Sequence, residues 1–166
     1  MEISLKSLTL FGSGILTGLS AGLFYAWSVS VIPGTSKVAD ATYLETMQSI
    51  NRAILNPAFF LIFFGSIILL GFASINQFST DKLTFWILLS ASIFYLFGTI
   101  GVTGLGNVPL NNQLEILSLE ALATDQLKEF RTFYETSWNR LHLIRTVFAV
   151  IAFLLAILAI FTSSKQ

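Results

Sequence analysis

With 166 residues, 54% of them hydrophobic and 11% charged, the chain falls well short of the roughly 25% charge of a soluble domain. Its mean hydropathy of +0.77 makes lipid the expected solvent, and its zero net charge, with no basic tract, argues against nucleic acid as a partner. The absence of Cys excludes disulfides, thiolate metal sites and a thiol nucleophile, and the single His142 excludes a zinc or haem site built from two His of one chain.

The first apolar stretch, Leu5 to Ile32, has a single basic residue at its start, Lys6, with Glu2 nearby, and runs far past the length of a secretory signal; it reads as an uncleaved span. Gly14, Gly18 and Gly22 recur every fourth residue, so one helix face admits close approach of another backbone. That face suits either a homo-oligomer interface or packing inside one bundle. Tyr25 and Trp27, at the far end of the span, fit an interfacial aromatic belt. Pro33-Gly34 is expected to end the span.

Asp40 to Leu55 predicts an amphipathic helix: Tyr43, Met47, Ile50 and Ile54 form its apolar stripe, and Glu45, Gln48, Arg52 and Asn56 its polar one. Pro57 then opens a second span, Ala58 to Ile75. A short polar turn, Asn76 to Lys82, leads to a third span from Leu83 to about Leu105, which closes in a run containing Gly98, Gly101, Gly104 and Gly106. The amide-rich stretch Asn107 to Gln113 reads as a turn. Glu115 to Thr136 alternates charges with Leu119, Leu122, Leu127, Phe130 and Phe133 and predicts a second extramembrane helical segment. The fourth span runs from Trp138 to Phe161, before a polar tail, Thr162 to Gln166.

The expected architecture is therefore all-α: one integral membrane four-helix bundle over residues 1–166, with two extramembrane amphipathic segments. Its halves resemble each other. Val31-Ile32-Pro33-Gly34 answers Asn107-Val108-Pro109-Leu110, and Ser49-Ile50-Asn51-Arg52 answers Ser137-Trp138-Asn139-Arg140, a pattern that suggests a pseudo-two-fold relating two hairpins. Four spans put both ends of the chain on one side. Lys6, Lys82 and Lys165 lie there, against Lys37, Arg52, Lys128, Arg131, Arg140 and Arg145 opposite. Setting aside Arg52, Arg140 and Arg145 as site residues leaves three against three, and we assign the termini to the cytoplasm.

Chemistry is expected where polar residues gather. On a helix Trp138, His142 and Arg145 share a face at i, i+4 and i+7, flanked by Asn139 and Thr146. A charged group about two turns inside a span must face protein or a wet cavity, or else reach back to the headgroups. One reading is a site where Arg145 holds an anion and His142 moves a proton; the other is interfacial anchoring. Asn51 and Arg52, with Asn56, precede the second span, where they suit either a site or a helix cap and headgroup anchor. Asn107, Asn111, Asn112 and Gln113 follow the third span; their amides match a quinone- or phenol-like ligand or satisfy turn backbone. These groups all fall on the membrane side opposite the termini, so a single pocket at one mouth of the bundle is expected.

The residues Phe24-Tyr25-Ala26-Trp27, Ile32-Pro33-Gly34, Met47-Gln48-Ser49-Ile50-Asn51, Asn56-Pro57, Asn107-Val108-Pro109-Leu110-Asn111 and Trp138 through Arg145 resemble the anthrone oxygenase-like family of small membrane proteins. The resemblance covers nearly the whole chain. It implies four membrane helices and, as in fungal polyketide members, oxygenation of an anthrone to an anthraquinone without metal or flavin. On that pattern His142 is the general base, Arg145 with Asn111 or Asn139 stabilises the enolate, and Trp138 stacks on the ring. The implied activity is a cofactor-independent oxygenase acting on an apolar aromatic or quinone-like compound. Competing readings are a binding or transport protein for a small lipophilic ligand, and a structural membrane subunit.

Overall fold

The computed structural model describes residues 4–163, and among them the chain is helical and without strands. The polar tail beyond Ser163 and the charges of Glu2 and Lys165 lie outside the described residues. Five long helices make up the fold: α1 (Leu5–Thr35), α2 (Asp40–Ala53), α3 (Pro57–Gln77), α4 (Lys82–Glu115) and α5 (Thr124–Ser163). A membrane helix needs about 20 apolar residues. Helices α1, α3, α4 and α5 meet that requirement, so the protein is a multi-pass membrane protein built as a four-helix bundle.

Local chemistry sets the helix starts. Ser4 and Ser7 close a reciprocal capping box on α1. The Asn56 side chain accepts from the Phe59 backbone N–H at 3.0 Å, with Pro57 in the first turn of α3. Asp81 accepts from the Thr84 N–H at 3.1 Å to start α4.

Two boundaries differ from the sequence expectation. Pro33 does not end the first span, and Asn107 to Gln113 is not a turn: α1 continues to Thr35 and α4 to Glu115. A proline inside a helix removes one N–H and crowds the carbonyl four residues back. Here each proline sits in the first turn of an α segment that follows a π-helical turn, Trp27–Val31 before Pro33 and Thr103–Asn107 before Pro109. The residue preceding each proline reaches five residues back, Ile32 N–H to the Trp27 carbonyl and Val108 N–H to the Thr103 carbonyl. The two hairpins thus carry the same device at the same spacing. The second extramembrane segment is also not separate. The chain turns at Ile116–Ala123, through a short 3-10 turn at Leu119–Ala121, and α5 then runs unbroken through the predicted fourth span.

In the bundle α1 packs on α3 and α5, and α4 packs on the same two. Such an up-and-down arrangement buries one stripe of each helix. Helix α5 supplies the small stripe Ala149, Ala152, Ala156 and Ala159, all fully buried; the last three pack around Leu70, Leu88, Ala91 and Tyr95, and Ala149 packs with Ala21, Phe24 and Phe63. Small residues let helix backbones approach closely in lipid. Gly98 is the tightest case, since a Cβ there would collide with the Phe148 side chain. The same logic accounts for part of the Gly14–Gly18–Gly22 stripe. Gly14 faces Ile160 and Gly18 faces Phe153, so both are used against α5 of the same chain, while Gly22 opens on free space. Large apolar side chains such as Phe11, Leu61, Phe72, Trp86, Phe97 and Phe161 are exposed on the outer faces, where lipid covers them.

Helix α2 folds over the end of the bundle opposite the termini. Tyr43, Leu44 and Met47 pack there on Leu110, Leu114, Tyr134 and Trp138. Arg131 ties the cap down. It donates to Asp40 at 2.9 Å, to Glu135 at 3.0 Å, and to the carbonyls of Thr35, Ser36 and Val38 at the end of α1. Its guanidinium lies 4.6 Å over the Tyr43 ring, and burial together with the nearby Glu135 carboxylate pushes the Tyr43 hydroxyl above the usual phenol range. Gln48 completes the cap by donating to the Leu114 and Leu117 carbonyls at the end of α4.

Candidate functional site

Between this cap and the bundle core lies a cavity of about 370 Å³, lined by all five helices. Its walls are mostly apolar: Leu23, Phe24 and Trp27 from α1, Ile50 from α2, Phe59 from α3 and Val108 from α4. Its polar groups are few and converge, which is the usual composition of a small-molecule site.

Helix periodicity brings Trp138, His142 and Arg145 of α5 to the cavity together, as their spacing predicts. His142 is buried, with Trp138 stacked on its ring at 5.0 Å and an interplanar angle of 7°. Arg145 donates to His142 Nδ1 twice, from Nε at 3.2 Å and from Nη2 at 3.0 Å. A guanidinium has no acceptor, so Nδ1 must be the lone-pair nitrogen. The ring proton is therefore on Nε2, which faces Ser28 Oγ at 2.9 Å and the Phe24 carbonyl at 3.1 Å. The imidazole is neutral and its one basic site is covered by Arg145.

Arg145 is itself buried, and its third nitrogen reaches Thr103 Oγ1 at 3.4 Å. Its guanidinium stands 4.7 Å over the Phe24 ring and 4.9 Å over Trp138. Among the described residues no carboxylate pairs with it; the ion pairs are Arg52–Glu115, Arg131–Asp40 and Arg131–Glu135. Aromatic faces and one imidazole lone pair offset only part of the cost of removing a cation from water.

The opposite wall is made of amides. Asn111 Oδ1 accepts from Trp138 Nε1 at 2.9 Å and from the Tyr134 hydroxyl at 3.0 Å, and Asn51 Nδ2 donates to the same hydroxyl at 3.1 Å. Arg52 and Glu115 form an exposed ion pair of 2.8 Å, and both line the cavity, bridging α2 and the end of α4.

Of the residues singled out from sequence, Asn51, Arg52, Asn111, Asn112, Trp138, His142 and Arg145 line one cavity. Asn107 and Asn139 do not. Asn107 is buried within the π turn and donates to the Trp138 carbonyl at 3.3 Å, which fixes α4 against α5. Trp27 is not a belt residue. It lines the cavity and packs on Trp138 at 5.7 Å, whereas Tyr25 is exposed. The expectation also missed Phe24, Phe59, Thr103 and Tyr134. The signal for Tyr134 was present, because it lies four residues before Trp138 on the same face.

The anthrone oxygenase family model matches residues 49–155, from the last turn of α2 through α3 and α4 to most of α5, while α1 with its cavity residues Leu23, Phe24 and Trp27 precedes the match. No curated protein and no solved structure matches the chain.

Proposed function

The chain belongs to the anthrone oxygenase family, and we propose that its cavity binds an apolar aromatic ketone and oxidises it with dioxygen. The observation that carries this reading is Arg145, a buried cation without a carboxylate partner among the described residues, on the wall of a mostly apolar cavity. A ligand that is flat, apolar and able to become an anion completes such a site. An anthrone is such a ligand: its carbonyl makes the opposite methylene acidic, and loss of that proton gives a delocalised enolate.

In this mechanism the ligand oxygen draws the guanidinium away from His142, so substrate binding uncovers the Nδ1 lone pair. His142 then takes the methylene proton, and Arg145 with the Asn111 amide stabilises the enolate oxygen. The electron-rich carbon reduces dioxygen and joins to it, giving a hydroperoxide once a proton is returned. Loss of the remaining C–H proton and cleavage of the O–O bond release water and leave the second carbonyl. One dioxygen is consumed, and anthraquinone and one water are formed. Trp138 and Trp27 offer the faces on which the rings stack. The termini are assigned to the cytoplasm, with the mouth of the cavity on the opposite face.

Purified protein in lipid nanodiscs, given anthrone under oxygen, tests the reading. Anthraquinone absorbance should rise with matching oxygen uptake; a rate no greater than that of empty nanodiscs removes it. A second reading, a non-catalytic carrier of a lipophilic anion, is favoured by one observation, the covered lone pair of His142. Anthrone binding without turnover, lost in Arg145→Ala, would select it.

A further inference from the structure

The amide wall of the cavity has a fixed direction. An indole N–H can only donate, so Asn111 must turn its oxygen towards Trp138 and not its nitrogen. The Tyr134 hydroxyl also meets that oxygen, and the single phenol proton must lie between them. With its proton committed, the phenol oxygen can only accept from Asn51, which must then present its NH2 group. Each amide is left with one free end. Asn111 Nδ2 is a donor and Asn51 Oδ1 an acceptor, neither has a hydrogen-bond partner among the described residues, and both residues line the cavity.

We propose that Asn111 Nδ2 and Asn51 Oδ1 are the specificity-determining pair of this cavity: Asn111 donates to a carbonyl or enolate oxygen of the ligand, Asn51 accepts from a ligand hydroxyl, and Trp138, acting through Tyr134, enforces that order. The ligand class is an aromatic ketone that also carries a hydroxyl group. The assignment rests on the aromatic-ketone reading above but not on turnover. Tyr134 is a positioning residue in this scheme, since it touches both amides and does not line the cavity itself.

Quenching of tryptophan fluorescence provides a binding assay, because Trp27 and Trp138 line the cavity. The probes are anthraquinone, 2-hydroxyanthraquinone and 2-methoxyanthraquinone, titrated into the full chain in nanodiscs under argon. The hydroxy probe should bind roughly five- to tenfold more tightly than the methoxy probe, the usual worth of one hydrogen bond. Asn51→Leu should bring that ratio to about one. Tyr134→Phe frees the Asn51 amide to turn and should also shrink the ratio, while Asn111 stays held by Trp138. Asn111→Asp still accepts from Trp138 and Tyr134 but offers an oxygen where the NH2 was, so all three carbonyl probes should weaken about tenfold. A merely structural loss would move the probes together and leave the hydroxy-to-methoxy ratio intact. An unchanged ratio in both Asn51→Leu and Tyr134→Phe overturns the proposal. Absence of quenching by every probe overturns it together with the aromatic-ketone reading. Discriminating binding in a protein that leaves anthrone unoxidised upholds the pair and removes only the oxygenase.

Discussion

His142 and Arg145 form a unit in which one side chain covers the chemistry of the other. Two N–H groups of Arg145 converge on the imidazole lone pair, and Nε2–H is held by Ser28 and the Phe24 carbonyl. His142→Gln can keep an acceptor facing Arg145 but cannot shuttle a proton. It should retain anthrone binding and lose turnover by about a hundredfold or more, the usual contribution of a general base, in a steady-state oxygen-uptake assay. Arg145→Lys keeps the charge but offers neither the planar fork nor stacking on Phe24 and Trp138. Binding of an aromatic carboxylate probe, followed by fluorescence quenching, should weaken at least tenfold in Arg145→Lys and Arg145→Ala alike. The i, i+4, i+7 spacing made the Trp138–His142–Arg145 face legible, because one helix fixes it. The hydrogen-bond pattern was not legible, since Ser28 and Phe24 come from the far end of the sequence.

At the scale of the helix, the prolines and glycines behave according to their neighbours. Pro33 and Pro109 read as stops because an ordinary α-helix cannot absorb them. A π turn ahead of each one already skips the usual partner, so α1 and α4 carry on, and α4 brings Asn111 and Glu115, beyond Pro109, to the cavity. π turns often occur at functional sites, and these two flank this one. The glycines divide by environment. Gly98→Ala places a methyl group inside the Phe148 ring and should cost about 1–3 kcal/mol, the range for overpacking. Gly104, with nothing within 4 Å of an added Cβ, should tolerate Ala without loss, as Ala is the better helix former by up to about 1 kcal/mol. Thermal unfolding of the two variants in the same detergent checks the contrast. The glycines stand equally in apolar runs, so only the packing partner separates them.

At the scale of the whole molecule, the cap closes the cavity, and Arg131 holds the cap. Arg131→Ala leaves Asp40, Glu135 and three carbonyls without their shared donor, and losing this part-buried network should cost about 1.5–3 kcal/mol. Hydrogen exchange should rise across α2 before it rises in α3 or α5; uniform exchange would contradict this role. Arg52→Ala removes an exposed ion pair and should change stability by less than about 1 kcal/mol. The assigned orientation is accessible to the same scale of test. With no native Cys, a Lys37→Cys variant in sealed cells should react with an impermeant thiol reagent from the non-cytoplasmic side only. Sequence by itself determined the class of molecule: four apolar spans, all-α, with polar residues gathered at the end away from the termini. Partition between water and lipid adds up residue by residue along a helix, so composition and period are enough to read it. The tertiary structure alone decided that α1 and α4 run through their prolines, that Trp27 turns inward, that Asn107 is buried between helices, and that Asn51 meets Asn111 across Tyr134. Those outcomes depend on which side chains meet between segments tens of residues apart, and the hydrogen bonds that fix them have no local period for a sequence to display.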